Sequence, residues 1–151
     1  MPQVARIERG VLQAGLFVDV YIGVSDALLK QLWKRNQPVP PAVFATFIVD
    51  TGADRTLVDE QIARTLGLIA VNQKPVITSE SKGIPQICDI YAISIEVRNG
   101  GSPPWRMSTV AATGRPLMDD ARHGVLGRDV LDRVKLVYDG PRQTFTIDYF
   151  Y

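Results

Sequence analysis

A mostly β domain carrying two or three short helices is the fold class this chain predicts. Three features point there: short runs rich in β-branched and aromatic residues, one capped amphipathic segment, and turns marked by glycine or proline between them. With 151 residues, 46% of them apolar and 22% charged, the chain has the size and composition of one globular domain with a sizeable core. Residues 1–151 are therefore read as a single domain.

Taken in order, residues 1–10 are mixed polar, with Arg6, Glu8 and Arg9, and lack the apolar stretch of a secretory signal. Residues 16–22 (Leu-Phe-Val-Asp-Val-Tyr-Ile) read as a strand. Ser25 offers an N-cap to a helix over 26–35, where Leu28, Leu29, Leu32 and Trp33 share one face and Lys34 and Arg35 suit the C-terminal end of the dipole. Pro38, Pro40 and Pro41 end it and lead to a strand over 42–49. Residues 58–66 have helical spacing, with Gly67 as the C-terminal cap. Two strands follow at 74–79 and 86–97; in the second, Tyr91, Ile93, Ile95 and Val97 alternate with Ala92, Ser94 and Glu96. Residues 99–104 are a turn by composition. Then come a strand over 105–112, a polar loop over 113–123, a short helix over 129–134, a turn at Asp139-Gly140-Pro141 and a last strand over 144–151.

Two segments of this frame carry chemistry. Residues 47–57 run Phe-Ile-Val-Asp-Thr-Gly-Ala-Asp-Arg-Thr-Leu, so a hydrophobic strand leads directly into Asp50 with Gly52 close behind. That arrangement suits a carboxylate set at a strand end and facing a cleft. Residues 124–131 run Gly-Val-Leu-Gly-Arg-Asp-Val-Leu: a short apolar strand, a glycine turn, an arginine and the start of a helix. Together the two segments resemble the retropepsin-like aspartic proteases, the family of the retroviral proteases and their bacterial relatives. The resemblance spans residues 16–151. It implies a retropepsin-like acid protease barrel with one active site per homodimer.

What the resemblance implies for single residues is specific. Asp50, Thr51 and Gly52 are the catalytic triplet: Asp50 from two copies forms the dyad, the Thr51 hydroxyl ties the two loops together, and Gly52 permits close backbone approach. Ala53 keeps the substrate wall small. Asp54 receives the substrate backbone and pairs with Arg128, locking the active-site loop. Arg55, Leu57, His123 and Val125 line substrate subsites. Gly83 and Ile84 are the flap tip, in a link that lacks the glycine-rich tip of retroviral flaps and carries the stiffening Pro85. Residues 24–41 form a helical insertion where retroviral proteases have a tight turn, placed outside the barrel or over part of the cleft. The C-terminal strand over 144–151 is the candidate for interleaving across the dimer axis, its alternative being closure of the subunit's own sheet. The plain rivals to these roles are a turn aspartate for Asp50, solvated charges for Asp54 and Arg128, and a surface polar residue for His123.

Composition excludes other chemistries. One His and the single Cys88, far apart, do not make a zinc site, and there is neither a phosphate-binding P-loop nor a G-x-S-x-G nucleophile elbow. A net charge of +1 without interleaved basic and aromatic residues argues against nucleic acid. No apolar run of about 18 residues is present to span a membrane. Cys88 cannot form an intrachain disulfide and reads as a small strand residue in a reducing compartment. The expectation is a cytoplasmic, cofactor-free and metal-free aspartic endopeptidase acting on a peptide or protein as a homodimer. The alternative is a retropepsin-fold dimerisation or peptide-binding module with little or no proteolysis. The intact Asp-Thr-Gly-Ala favours the enzyme; the altered flap and the added helix favour the module.

Overall fold

In the computed structural model, which describes residues 2–117 and 122–151, the alternating strands close on themselves. Part of the expected polar loop, residues 118–121, lies outside the described residues, as does Met1. The strands are β1 (Val4–Gly10), β2 (Phe17–Val24), β3 (Val43–Val49), β4 (Leu57–Asp59), β5 (Asn72–Val76), β6 (Gln86–Asn99), β7 (Ser102–Arg115), β8 (Gly124–Leu126), β9 (Lys135–Asp139) and β10 (Thr144–Phe150). Three helices join them: α1 (Asp26–Lys34), α2 (Glu60–Thr65) and α3 (Arg128–Leu131). A sheet ordered β2-β3-β8-β4-β7-β6-β5 closes because β2 also pairs with β6. The ring thus has six strands, and β5 hangs outside it as one arm of a hairpin. This is the mostly β, retropepsin-like barrel that the sequence predicts. No described helix is long and apolar enough to cross a membrane.

Strand length explains the shape. β6 is long enough to serve two partners: Ile93 to Glu96 pair with β2 inside the barrel, while Gln86 to Ile90 pair with β5 outside it. Register shifts at Ile93/Ile95 and Val97/Asn99 bend the β6–β7 pair so that it wraps the core. That core contains the fully buried Val20, Ile22, Phe47, Val58, Ile93, Ile95 and Leu126. Each such side chain contributes about 1.5–3 kcal/mol by leaving water. Pro103 and Pro104 lie in β7 rather than in a turn, because the turn tightens to Gly100 and Gly101 between the two long strands.

The helices follow their caps. The Ser25 hydroxyl accepts from the Leu28 amide at 3.3 Å, and Asp26 in the first turn of α1 takes two hydrogen bonds from Arg106 of β7, at 2.6 and 3.3 Å. No residue of α1 is buried, so the helix decorates the exterior. The segment expected to be helical over 58–66 begins as a strand instead. Leu57 to Asp59 pair with β7 and β8, and the Asp59 carboxylate then caps α2 by accepting from the Gln61 amide at 2.7 Å. Tertiary pairing overrides local helical spacing there. Gly67 ends α2 with φ of +65°, as a C-terminal cap requires.

The chain termini add one strand and correct one expectation. Residues 4–10 form strand β1, with Ala5 and Ile7 buried beneath a polar outer row. The C-terminal strand β10 is not an open edge awaiting a second copy. It is the central strand of a three-stranded sheet ordered β1-β10-β9, paired antiparallel on both sides within its own chain. Phe145, Ile147 and Tyr149 project from it into the core at 0–1% exposure. Tyr149 donates through its hydroxyl to the Pro103 carbonyl, and Asn99 donates to the Arg6 carbonyl at 2.9 Å, so this sheet is stitched to the barrel.

Deleting residues 144–151 should therefore unfold the chain instead of yielding a folded monomer. Two large aromatics and an isoleucine leave the core, each worth about 2–5 kcal/mol against a total stability of about 5–15. Loss of near-ultraviolet circular dichroism would record it; a folded truncated chain would show that β10 is dispensable.

A second outcome follows from the register of β1 on β10. Arg6 lies opposite Asp148 and donates twice to its carboxylate, at 2.6 and 2.9 Å. Hydrogen bonding and charge from Arg6 hold the Asp148 carboxyl below its ordinary value. A depressed carboxyl contributes stability above the unfolded value and loses it as pH falls through the folded one. Asp148→Asn should lower the thermal midpoint slightly at pH 7, within the small range of surface pairs. The difference should close as the pH falls through the lowered folded value, beneath the ordinary carboxylate range. A gap that persists unchanged in acid would show that the Arg6 pair is not its cause.

Candidate active site

Strand β3 delivers Asp50 to the end of the barrel. Val49 is buried, and the next residue steps into solvent. The Asp50 amide donates to the Leu126 carbonyl at 3.1 Å, continuing the parallel ladder of β3 on β8. The chain then turns, with the Ala53 amide returning to the Asp50 carbonyl at 3.2 Å. One carboxylate oxygen of Asp50 accepts from the Gly52 amide at 2.8 Å, which fixes the direction of the side chain. A Cβ at residue 52 would lie 3.0 Å from that same oxygen. Gly52 thus leaves room for the carboxylate, which a Cβ would push aside by a few tenths of an ångström; its φ is not in the left-handed region.

The second motif holds this loop from behind. β8 lies between β3, which enters the Asp50 loop, and β4, which leaves it. Residues 50–56 therefore pass across the end of β8. Where they cross, Gly127 meets the backbone of Arg55: a Cβ at 127 would lie 2.5 Å from the Arg55 carbonyl carbon. Thr56, fully buried, fastens the crossing. Its hydroxyl donates to Asp129 Oδ1 at 2.8 Å and accepts from the Gly127 amide at 3.2 Å, while its own amide donates to Asp129 Oδ2 at 3.1 Å. The Arg128 amide adds a bond to the Ala53 carbonyl at 2.8 Å.

Arg128 itself does something other than expected. Its Nη1 donates to the Thr51 carbonyl at 2.8 Å, and the ion pairs of the described residues do not include one with Asp54. The Asp54–Arg128 pair is therefore absent from this chain, and Asp54 stands exposed. A backbone carbonyl one turn away is the nearer acceptor for the guanidinium. Arg128 still supports the loop, by a different bond.

Asp50, Ala53, Leu57 and Val125 line one cleft of about 580 Å³. Thr78 and Glu80, from the link between β5 and β6, line it too, as do Arg115 and Arg122 on either side of the loop before β8. Thr51 and Gly52 are exposed beside it. Five expected site residues lie elsewhere, the exposed Asp54 among them. Gly83 and Ile84 are exposed outside the cleft, because a left-handed turn through Lys82 (φ +50°) and Gly83 (φ +80°) carries them past the residues that face Asp50. Arg55 lines a separate groove with Asp129 and Arg133. The His123 ring takes the Thr46 amide on Nδ1 at 3.0 Å while the His123 amide donates to the Thr46 carbonyl at 2.8 Å. Its side chain thus extends the β3–β8 ladder and turns away from the cleft.

Thr56, Asp129, Thr78, Glu80, Arg115 and Arg122 are the residues that reading the sequence missed. A weak signal existed for the first pair: Thr56 is a lone polar residue entering a strand, and Asp129 follows the Gly-Arg of the second motif. For the others, the link between β5 and β6 and the polar segment before β8 had only their position to recommend them.

A family model described as aspartyl protease matches residues 41–130. Among solved structures, a retropepsin-like aspartic protease from Rickettsia conorii is similar, with a TM-score of 0.62 and 18% identity over 99% of this chain and 95% of that one. At that identity the likeness is one of fold. No curated protein matches the chain.

The crossing makes a testable unit. Thr56→Val and Asp129→Ala should each destabilise by about 1–3 kcal/mol, since each leaves buried polar groups without a partner. The double variant should lose clearly less than the two single losses together, as measured by urea unfolding. Strict additivity would show that the two residues do not act as one fastening.

Proposed function

The chain belongs to the aspartyl protease family, and we propose that it is an aspartic endopeptidase whose active site joins Asp50 of one copy to Asp50 of a second. The observation that carries this reading is the strand-end carboxylate, anchored through one oxygen by its own loop and opening on a cleft of about 580 Å³. One chain has a single Asp-Thr-Gly. Peptide hydrolysis needs a base for the attacking water and an acid for the departing amine within one cycle. Two adjacent carboxylates that share a proton supply both, because like charges so close do not both ionise. The ionised one takes a proton from the water as its oxygen bonds to the carbonyl carbon. The protonated one donates to the carbonyl oxygen, and collapse of the tetrahedral intermediate passes a proton to the leaving nitrogen as the carbon–nitrogen bond breaks.

Two features support assembly about a two-fold axis at the loop. Asp50, Thr51 and Gly52 are exposed in the isolated chain, and the Thr51 hydroxyl makes no hydrogen bond among the described residues. With both edges of β10 filled, the surfaces this reading assigns to pairing are the motif loop and the flap hairpin, where Ile77 and Ile84 are exposed. One observation favours the rival reading of a peptide-binding module. The flap link is locked on itself, with the Ser81 hydroxyl bonded to both the amide and the carbonyl of Thr78.

A mixing experiment tests the proposal. Asp50→Asn alone should cleave a diverse peptide library at no more than about a hundredth of the wild-type rate, because the amide cannot accept the water's proton. Added in excess to a fixed amount of wild type, it should depress activity by drawing active chains into mixed pairs. Wild-type turnover that is indifferent to the added variant would sink the two-chain site. A wild type inert from pH 4 to 7 would favour the module.

A further inference from the structure

We propose that the cleft selects peptides carrying an acidic side chain close to the scissile bond, and that Arg115 is the residue that reads it. This rests on the endopeptidase reading and names its substrate class. Arg115 ends β7 and Arg122 precedes β8, and both line the cleft that holds Asp50. Besides Asp50, Glu80 is the one acidic side chain among the described lining residues. In each half of a two-fold assembly, two guanidinium groups then face one glutamate. A dyad sharing a proton adds a single negative charge for both halves together. Counted over the described lining residues the assembled cleft is positive, and its Ala53, Leu57 and Val125 walls exclude some of the water that would screen it.

Arg115 is held in a way that leaves its charge available. Its Nη1 donates to Gln86 Oε1 at 2.8 Å and to Cys88 Sγ at 3.7 Å, both on the flap strand β6. Both acceptors are neutral. Asp59 is its neighbour in the β4–β7 register, yet that carboxylate is engaged at the start of α2, accepting from the Gln61 amide. Among the described residues Arg115 has no carboxylate partner. Its remaining N–H groups form the fork that grips a carboxylate with two parallel bonds. A guanidinium already fixed from behind loses little freedom on binding. An extended peptide advances about 3.3 Å per residue, so a side chain reaching Arg115 in this cleft lies within a few residues of the cut.

The test reads binding on full-length Asp50→Asn, where nothing turns over. End-capped fluorescent peptides share one extended sequence and carry Glu, Gln or Lys at one position, scanned along it. Fluorescence anisotropy should find a position at which Glu binds about tenfold more tightly than Gln, or roughly 1.4 kcal/mol, with Lys weakest. The gap should narrow as salt rises. Adding Arg115→Gln should close it, and adding Arg115→Glu should invert it in favour of Lys, an inversion that a damaged cleft cannot produce. Equal binding or no binding at every position, or a Glu preference that survives Arg115→Gln, overturns the proposal. Selective binding alongside a wild type that cleaves nothing would leave charge selection standing and remove the endopeptidase reading.

Discussion

Everything about the Asp50 loop depends on a crossing at which the backbone of Gly127 lies on that of Arg55 with no room for a Cβ between them. β8 is wedged between the strand that enters the loop and the strand that leaves it. The loop cannot close over β8 unless the two backbones touch, and they touch only if residue 127 has no side chain. Contact alone would leave buried amides without partners, which is costly. Thr56 and Asp129 remove that cost by exchanging bonds across the crossing and reaching the Gly127 amide as well. The carboxylate of Asp50 is therefore positioned by residues that never meet the cleft, which is how a precise site is held on a rigid frame.

The barrel and the hairpin beyond it are made from the same strands with opposite consequences. Inside the ring, β6 has partners on both sides and buries Ile93, Ile95 and Val97. Beyond the ring, the same strand has only β5 beside it, and Ile77, Ile84 and Ile87 face solvent. Low burial and few neighbours make the hairpin the easiest part of this sheet to displace. Lys74 and Pro75 on β5 blunt an edge that would otherwise recruit another strand. The hairpin is thus anchored at its root in the barrel, while its far end is tied only to itself through Ser81 and Thr78.

The terminal sheet is built on another logic. β1 and β9 flank β10, so the last strand of the chain is held from both sides before any second copy arrives. Its inner face supplies Phe145, Ile147 and Tyr149 to the core, and its outer face carries the Arg6–Asp148 pair. High β-propensity in residues 144–151 reflects service to this chain's own interior.

Much of this was determined by the sequence alone. Strand runs, the Ser25 cap, the Gly67 cap and the β5–β6 hairpin all rest on local chemistry, in which neighbours a few residues apart set the backbone. The Asp-Thr-Gly and Gly-Arg-Asp segments were legible because each has an unusual composition in a recognisable apolar frame. Local reading failed wherever the deciding partner was distant in the chain. Residues 4–10 look polar because only Ala5 and Ile7 face inward, and it takes β10 to make them a strand. Val58 and Asp59 begin a segment of helical spacing, yet pairing with β7 and β8 draws them into a strand. Arg128 turns from Asp54 to the Thr51 carbonyl, His123 turns to Thr46, and Arg115 comes to line the same cleft as Asp50, because folding sets distances between residues tens of positions apart. Residue identity named the chemistry; the closure of the barrel decided which side chains share a cleft.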